Sequence, residues 1–184
     1  MVAVLAWSQT CGGAFAAAIA RAWEAELDRA ETPRTRKVAL RSAMTMSPDP
    51  GGIFATMATL ARRGLGGTAG DGRQYVSWIH EADFVAAIEF LLARDDLSGA
   101  VNLAAPNPLP NAEFFRVLRE AVGAPFGFRT PAWMLEIGAL AMRTETELLL
   151  KSRRVVPGRL LDAGFVFRYP EWPEAARELA ARWR

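Results

Sequence analysis

The chain has 184 residues, 51% of them hydrophobic, enough to bury one core in a single domain or a domain with an appendage. Its formal net charge is only +2, with basic residues dispersed among nearly as many acids, which argues against a nucleic-acid surface. One cysteine, Cys11, and one histidine, His80, exclude an internal disulfide and a zinc site made of Cys/His clusters, and fit a reducing cytoplasm.

Met1 to Ala20 is apolar, but no basic segment precedes it and Ser8 to Gly13 interrupts it, so it does not read as a secretory signal. No stretch reaches the ~20 apolar residues of a membrane span. Val2 to Trp7 reads as a short buried strand, central in a parallel sheet. Ala14 to Ala30 reads as a helix with a narrow apolar stripe of Phe15, Ile19, Trp23 and Leu27, stopped by Thr32-Pro33. Lys37 to Arg41 is a second buried strand, and Ser47 to Gly52 a loop. Ile53 to Arg63 is helical, closed by Gly64. Gly66 to Gly72 reads as a glycine-rich hairpin region, followed by a third strand from Gln74 to Ile79.

Glu81 to Ala93 is a helix expected to turn Phe84, Ile88, Leu91 and Leu92 inward. Asp95-Asp96 is its solvated end. Val101 to Leu103 is a brief strand, Pro106 to Pro110 a loop, and Asn111 is placed to cap a helix from Ala112 to Val122. Thr130-Pro131 starts a helix running to about Met142, and Glu145 to Arg153 continues helically. Lys151 to Arg154 is the densest basic stretch, read as a solvated helix end. Pro157 to Ala163 is a turn or short helix ending at Gly164, and the last helix runs from about Pro173 to Trp183. Strands alternating with helices imply an α/β fold with parallel strands, and the alternation stops near residue 104. The expected division is a Rossmann-like α/β region over 1–104 and a mainly helical region over 105–184.

The residues that carry chemistry are few. No G-x-G-x-x-G or related turn follows a strand and opens a helix, so the cradle for a dinucleotide pyrophosphate is missing. Gly64 to Gly70 is glycine-rich but precedes a strand, and no Gly-Lys-Ser/Thr follows it, so it reads as a turn. His80 stands at a strand-to-helix junction, where α/β proteins place ligands, with Glu81 and Asp83 nearby. It is either a functional base or a support for the helix start. No serine sits in a nucleophile elbow and no carboxylate cluster suits a metal. The six tryptophans read mostly as core anchors, and Trp78 is the exception because it adjoins His80.

Taken together, several segments resemble one family. Val38-Ala39-Leu40-Arg41 with Gly51-Gly52 is similar to the sixth-strand region of extended short-chain dehydrogenases. Gly70-Asp71-Gly72-Arg73-Gln74 with Trp78-Ile79-His80-Glu81-Ala82-Asp83 resembles the family's GDGxQ and WIHxxD segments. Val101 to Pro108 with Asn111 to Phe114 resembles its N-x-x-x-P-x-P and N-x-x-F segments. Arg154 to Pro170 looks like the small C-terminal domain of unknown function, of the DUF1731 type, found in an atypical branch of NAD(P)-dependent epimerase/dehydratase-like proteins. The resemblance covers roughly residues 15 to 180.

What the resemblance implies is a Rossmann-like fold, NADP as cofactor and a small-molecule substrate. Ser42, Ala43 and Met44 fall where relatives approach the nicotinamide, largely through backbone, and Gln74, Trp78 and His80 where they line the substrate pocket. Two departures stand out. The chain begins near the family's fifth strand, so the first βαβ units and their glycine fingerprint are absent from it. The family's Tyr-x-x-x-Lys pair is also absent, with Ala16 and Ala20 near those positions, and alanine transfers no proton. The arginine that sugar-nucleotide epimerases carry shortly before Ile-His is missing, Val76-Ser77 taking its place, which weakens a UDP-sugar substrate.

The expectation is therefore a truncated oxidoreductase- or epimerase-like protein in the cytoplasm, without independent catalysis. The alternative is a non-catalytic remnant that binds a ligand or a protein. A half-sheet predicts an exposed edge covered by a second copy or a partner chain, with no nucleic-acid or membrane partner.

Overall fold

The computed structural model describes residues 2–8, 13–128, 152 and 154–183. The helices expected from Thr130 to Met142 and from Glu145 to Arg153 lie outside that set, apart from Ser152. In chain order the elements are β1 (Val2–Ser8), α1 (Gly13–Arg29), β2 (Arg36–Ser42), β3 (Met44–Met46), α2 (Ile53–Arg62), β4 (Tyr75–Val76), β5 (Trp78–His80), α3 (Glu81–Ala93), β6 (Gly99–Leu103), β7 (Leu109–Pro110), α4 (Asn111–Ala121), α5 (Gly158–Asp162) and α6 (Trp172–Arg182). The expected α/β architecture with parallel strands is what forms.

Three strands, in the order β1-β2-β6, run parallel, with Val4 opposite Val38 and Leu40 opposite Val101. Strand period two sends successive side chains of β2 to opposite faces. Val38 and Leu40 join a core with Ile79, Leu91, Leu103, Leu160 and Phe165. Lys37 and Arg41 face the other way, toward α1. The Lys37 ammonium donates to the Asp28 and Ala30 carbonyls at the end of that helix, where a cation also favours the dipole. Arg41 makes a bidentate pair with Glu24, 2.8 Å to each carboxylate oxygen. The sheet thus meets α1 with charged groups, and this explains a departure from the expected helix face. Ile19 and Trp23 are exposed, and among residues 18–29, whose side chains are described, Ala20 alone is buried; Phe15 lies outside the described side chains.

Beyond β2 the chain passes straight into β3, which pairs in parallel with β5, Met46 opposite His80. The single strand expected over Gln74 to Ile79 is two. Tyr75-Val76 pairs antiparallel with β7, while Trp78 to His80 pairs with β3, and Ser77 is the corner between them. The glycine-rich stretch before it is a loop, not a hairpin, because β4 has its partner in β7. That loop is closed by the Gly72 amide on the Ala69 carbonyl. Gly72 has φ +75°, and a Cβ there would lie 2.2 Å from Thr68 Cγ2, so the turn needs glycine.

Asn111 does not cap α4. It is the first residue of the helix, and its buried Oδ1 accepts the Ala69 amide at 2.9 Å, tying α4 to the glycine loop. In α3, Leu91 is buried as expected and Phe84 and Ile88 pack at the edge of the core, but Leu92 is exposed.

A second core surrounds Trp172. Its ring stacks on Phe114 at 4.2 Å, tilts against Trp78 at 5.0 Å and meets Phe54 edge-on at 6.4 Å. Its indole N–H donates to the Phe114 carbonyl at 3.0 Å. Both cores combine residues from before and after residue 104, so the strands and the C-terminal helices share their interior.

Candidate functional site

Parallel strands leave their carboxyl ends, and the loops after them, as the place where a ligand is met. In this chain the carboxyl ends of β2 and β6 converge on Ser42-Ala43-Met44. The Ala43 amide donates to the Leu103 carbonyl at 2.9 Å, and the Met44 amide to the Ser77 carbonyl at 3.3 Å. Ser42 Oγ donates to the Ala43 carbonyl at 2.8 Å and lies 3.3 Å from Thr45 Oγ1. The segment is therefore rigid backbone between two sheets, with the small Ala43 at its centre. The pair Arg41–Glu24 sits immediately before it, and the hydrogen bonds and charge of Glu24 hold the guanidinium pKa above its ordinary value against the opposing effect of burial.

Trp78 and His80 are two residues apart on β5, so they share a face, and that face is covered by the C-terminal segment. Both are almost fully buried. Trp78 packs on Trp172. His80 Nδ1 accepts the Ala82 amide at 3.0 Å and so caps α3. With Nδ1 accepting, Nε2 carries the proton of the neutral ring and meets Glu178 Oε2 at 2.9 Å. The imidazole also stacks on Tyr169, centroids 4.1 Å apart. Burial pushes the Glu178 carboxyl up, but hydrogen bonds from His80 and Arg182 outweigh it and leave the pKa below the usual glutamate range. Arg182 completes the corner by bridging Glu178 to Glu81.

Asp83 sits one turn into α3 and is 1% exposed. Its two carboxylate oxygens accept the amides of Arg168, at 2.7 Å, and Tyr169, at 2.9 Å. Each named residue of the Trp-Ile-His-x-x-Asp motif except Ile79, which enters the other core, thus grips residues 168–178. Asp83 was not singled out from sequence. Its signal was there, as the one acid of the motif that a helix start alone did not demand.

Gln74 stands apart from this face. It is buried in the glycine loop, where its Nε2 donates to the Ala69 carbonyl at 2.8 Å, and its own carbonyl accepts the Asn111 amide. The structure therefore brings Trp78 and His80 together and joins Ser77 to the Ser42–Met44 segment, but roots Gln74 in a different contact. A shallow groove of about 430 Å³ runs beside His80 between α3 and α6, with Val85, Arg168 and Tyr169 on its walls. Among the described residues no group of three His, Cys, Asp or Glu side chains is placed to hold a metal ion, and no helix is long and apolar enough to cross a membrane.

Residues 130–179 match the family model described as a domain of unknown function, DUF1731. Over 170 residues the chain is 36% identical to the epimerase family protein Mb2239 of Mycobacterium bovis, covering 91% of this chain and 55% of that protein. It is 34% identical over 160 residues to the epimerase family protein SDR39U1 of Bos taurus, covering 86% of this chain and 53% of the relative. The chain spans about half the length of the curated relatives it matches. Its fold superposes on the crystal structure of human epimerase family protein SDR39U1 (isoform 2) with NADPH at a TM-score of 0.83 and 28% identity, over 98% of this chain and 65% of that one. A nucleoside-diphosphate sugar epimerase from Corynebacterium glutamicum follows at a TM-score of 0.71 and 25% identity, over 98% and 37%.

Proposed function

The chain belongs to the NAD(P)-dependent epimerase family of atypical short-chain dehydrogenase/reductases, and on that premise we propose that it forms the substrate side of an NADP-linked oxidoreductase or epimerase-like site. The observation that carries this reading is the rigid Ser42-Ala43-Met44 segment at the carboxyl ends of parallel strands, fixed from both sides by Leu103 and Ser77. A nicotinamide needs a flat, immobile surface that holds its reacting carbon against substrate, and small side chains that permit close approach. Ala43, with the half-buried Met44 beside it, suits that end of the cofactor. No G-x-G-x-x-G sequence stands between a strand and a helix of the described residues, which favours the nicotinamide end over the pyrophosphate.

When bound, NADP gives or takes a hydride. The work of this chain is to seat the ring on Ser42, Ala43 and Met44 and to keep the substrate wall, with Gln74, Trp78 and His80 behind it, from shifting. His80 acts there as a positioning residue, since both ring nitrogens are engaged, one by the Ala82 amide and the other by Glu178. The test is a titration of NADPH and NADH into the native protein isolated from its source. Saturable NADPH binding, at least 10-fold tighter than NADH, with shifts in the amide signals of Ala43 and Met44, is the expected result. No saturable binding of either overturns the reading.

A second reading, ligand or protein binding without catalysis, is favoured by one observation. Ala20, near the position of the family's lysine, is buried at 3% exposure and supplies no amine there. In that case β1, which among the described residues pairs only with β2, would offer its other edge to a second copy or a partner chain in the cytoplasm.

A further inference from the structure

Ser77 does more than turn the corner between β4 and β5. Its carbonyl accepts the Met44 amide, while its hydroxyl accepts the Val155 amide at 2.9 Å. One residue therefore holds the Ser42–Met44 segment and the C-terminal stretch around residue 155 to the same point. The neighbouring contact repeats the device, because Ser152 Oγ accepts the Tyr75 amide at 3.0 Å. Between these two stitches lies Arg154. It is exposed, and its guanidinium carbon sits 5.1 Å from the centroid of the Tyr75 ring. Among the described residues it meets no carboxylate, unlike Arg41, Arg94, Arg116 and Arg182, which all do.

This is an exposed cation held against an aromatic ring, and the amide of the next residue is fixed by Ser77, whose carbonyl also holds the Met44 amide. An arginine laid on a ring loses side-chain freedom before any ligand arrives, and its planar fork suits the two oxygens of a phosphate or carboxylate. We propose that Arg154, backed by Tyr75, binds an anionic group, phosphate or carboxylate, on the substrate of this site. The proposal rests on the reading of Ser42–Met44 as the nicotinamide seat, since that contact makes the neighbourhood a substrate site.

The experiment follows the Arg154 Nε–H and Tyr75 ring signals by NMR in the full chain as phenyl phosphate, benzoate or NADPH is added. Saturable shifts of both signals with phenyl phosphate identify a phosphate group, and with benzoate a carboxylate. Arg154→Ala is expected to weaken that binding at least 10-fold, and Arg154→Lys to restore part of it. Arg62→Ala, which removes an exposed arginine lying on a different ring, Trp183, away from this site, is expected to change nothing. No saturable shift with either anion, unchanged affinity in Arg154→Ala, or an equal loss in Arg62→Ala overturns the proposal. A response of Ala43 and Met44 to NADPH without an anion response at Arg154 sinks this proposal alone. An anion response without a NADPH response supports the anion site and sinks the cofactor reading instead.

Discussion

Replacing Asp83 with asparagine tests how the C-terminal segment is held. The wild-type carboxylate accepts two amides, at 2.7 Å and 2.9 Å, from consecutive residues of an extended strap, and it is almost fully buried. Asparagine keeps one acceptor oxygen and turns an NH2 group toward the second amide, which leaves that donor facing a donor. A hydrogen bond to a charged group contributes about 1.5–3 kcal/mol, and the surviving bond falls from charge-assisted to neutral strength. The expected loss is about 2–4 kcal/mol, a large share of the roughly 5–15 kcal/mol that holds a domain folded. Urea denaturation measures the total. Native-state hydrogen exchange reads the location, since the Arg168 and Tyr169 amides should lose protection by more than the β2 amides do. A loss under about 0.5 kcal/mol, or exchange at Arg168 and Tyr169 unchanged, would show that the strap is held by its aromatic residues and not by this carboxylate.

Four further substitutions follow from the same geometry. Trp172→Ala removes the ring on which Phe114, Trp78 and Phe54 converge together with its hydrogen bond to the Phe114 carbonyl, so denaturation should show a loss of about 3–5 kcal/mol. Glu178 has a folded pKa below its unfolded one, so its contribution is complete above about pH 4.3 and is lost as pH falls through the folded value; Glu178→Gln should narrow the stability gap to wild type in that acid window and leave it constant near neutrality. Gly72→Ala adds a collision with Thr68 to a positive φ, whereas Gly51→Ala, at φ +80°, meets nothing within 4 Å. The second should cost about 1–2 kcal/mol from backbone strain alone, and the first clearly more, as thermal melts would show.

Much of the fold was legible because parallel strands leave short apolar runs in the sequence, as Val38 to Leu40 do at the buried centre of β2. What misled was local pattern without its partner. Gln74 to Ile79 is continuous as sequence, and only the separate neighbours β7 and β3 split it at Ser77. The stripe Ile19–Trp23 looked like a core face, but β2 answers it with Lys37 and Arg41, which no helix periodicity encodes. Asn111 has the chemistry of a cap, yet an acceptor buried beside Ala69 was the stronger demand. At the candidate site the motif residues could be named from sequence, but their partners could not, since Glu178 for His80 and residues 168–169 for Asp83 lie 85 to 98 positions away and belong to tertiary structure.

The grip of the Trp-Ile-His-x-x-Asp motif on the C-terminal strap also orders events in time. A ribosome adds about 5–20 residues per second, so His80 waits roughly 5–20 s for Glu178, 98 residues later, to be made. Through that interval Trp78 lacks Trp172 and Asp83 lacks its two donors, leaving a buried-type carboxylate and two large apolar surfaces open together. Only when α6 and the strap before it close over the motif are those surfaces and that carboxylate covered.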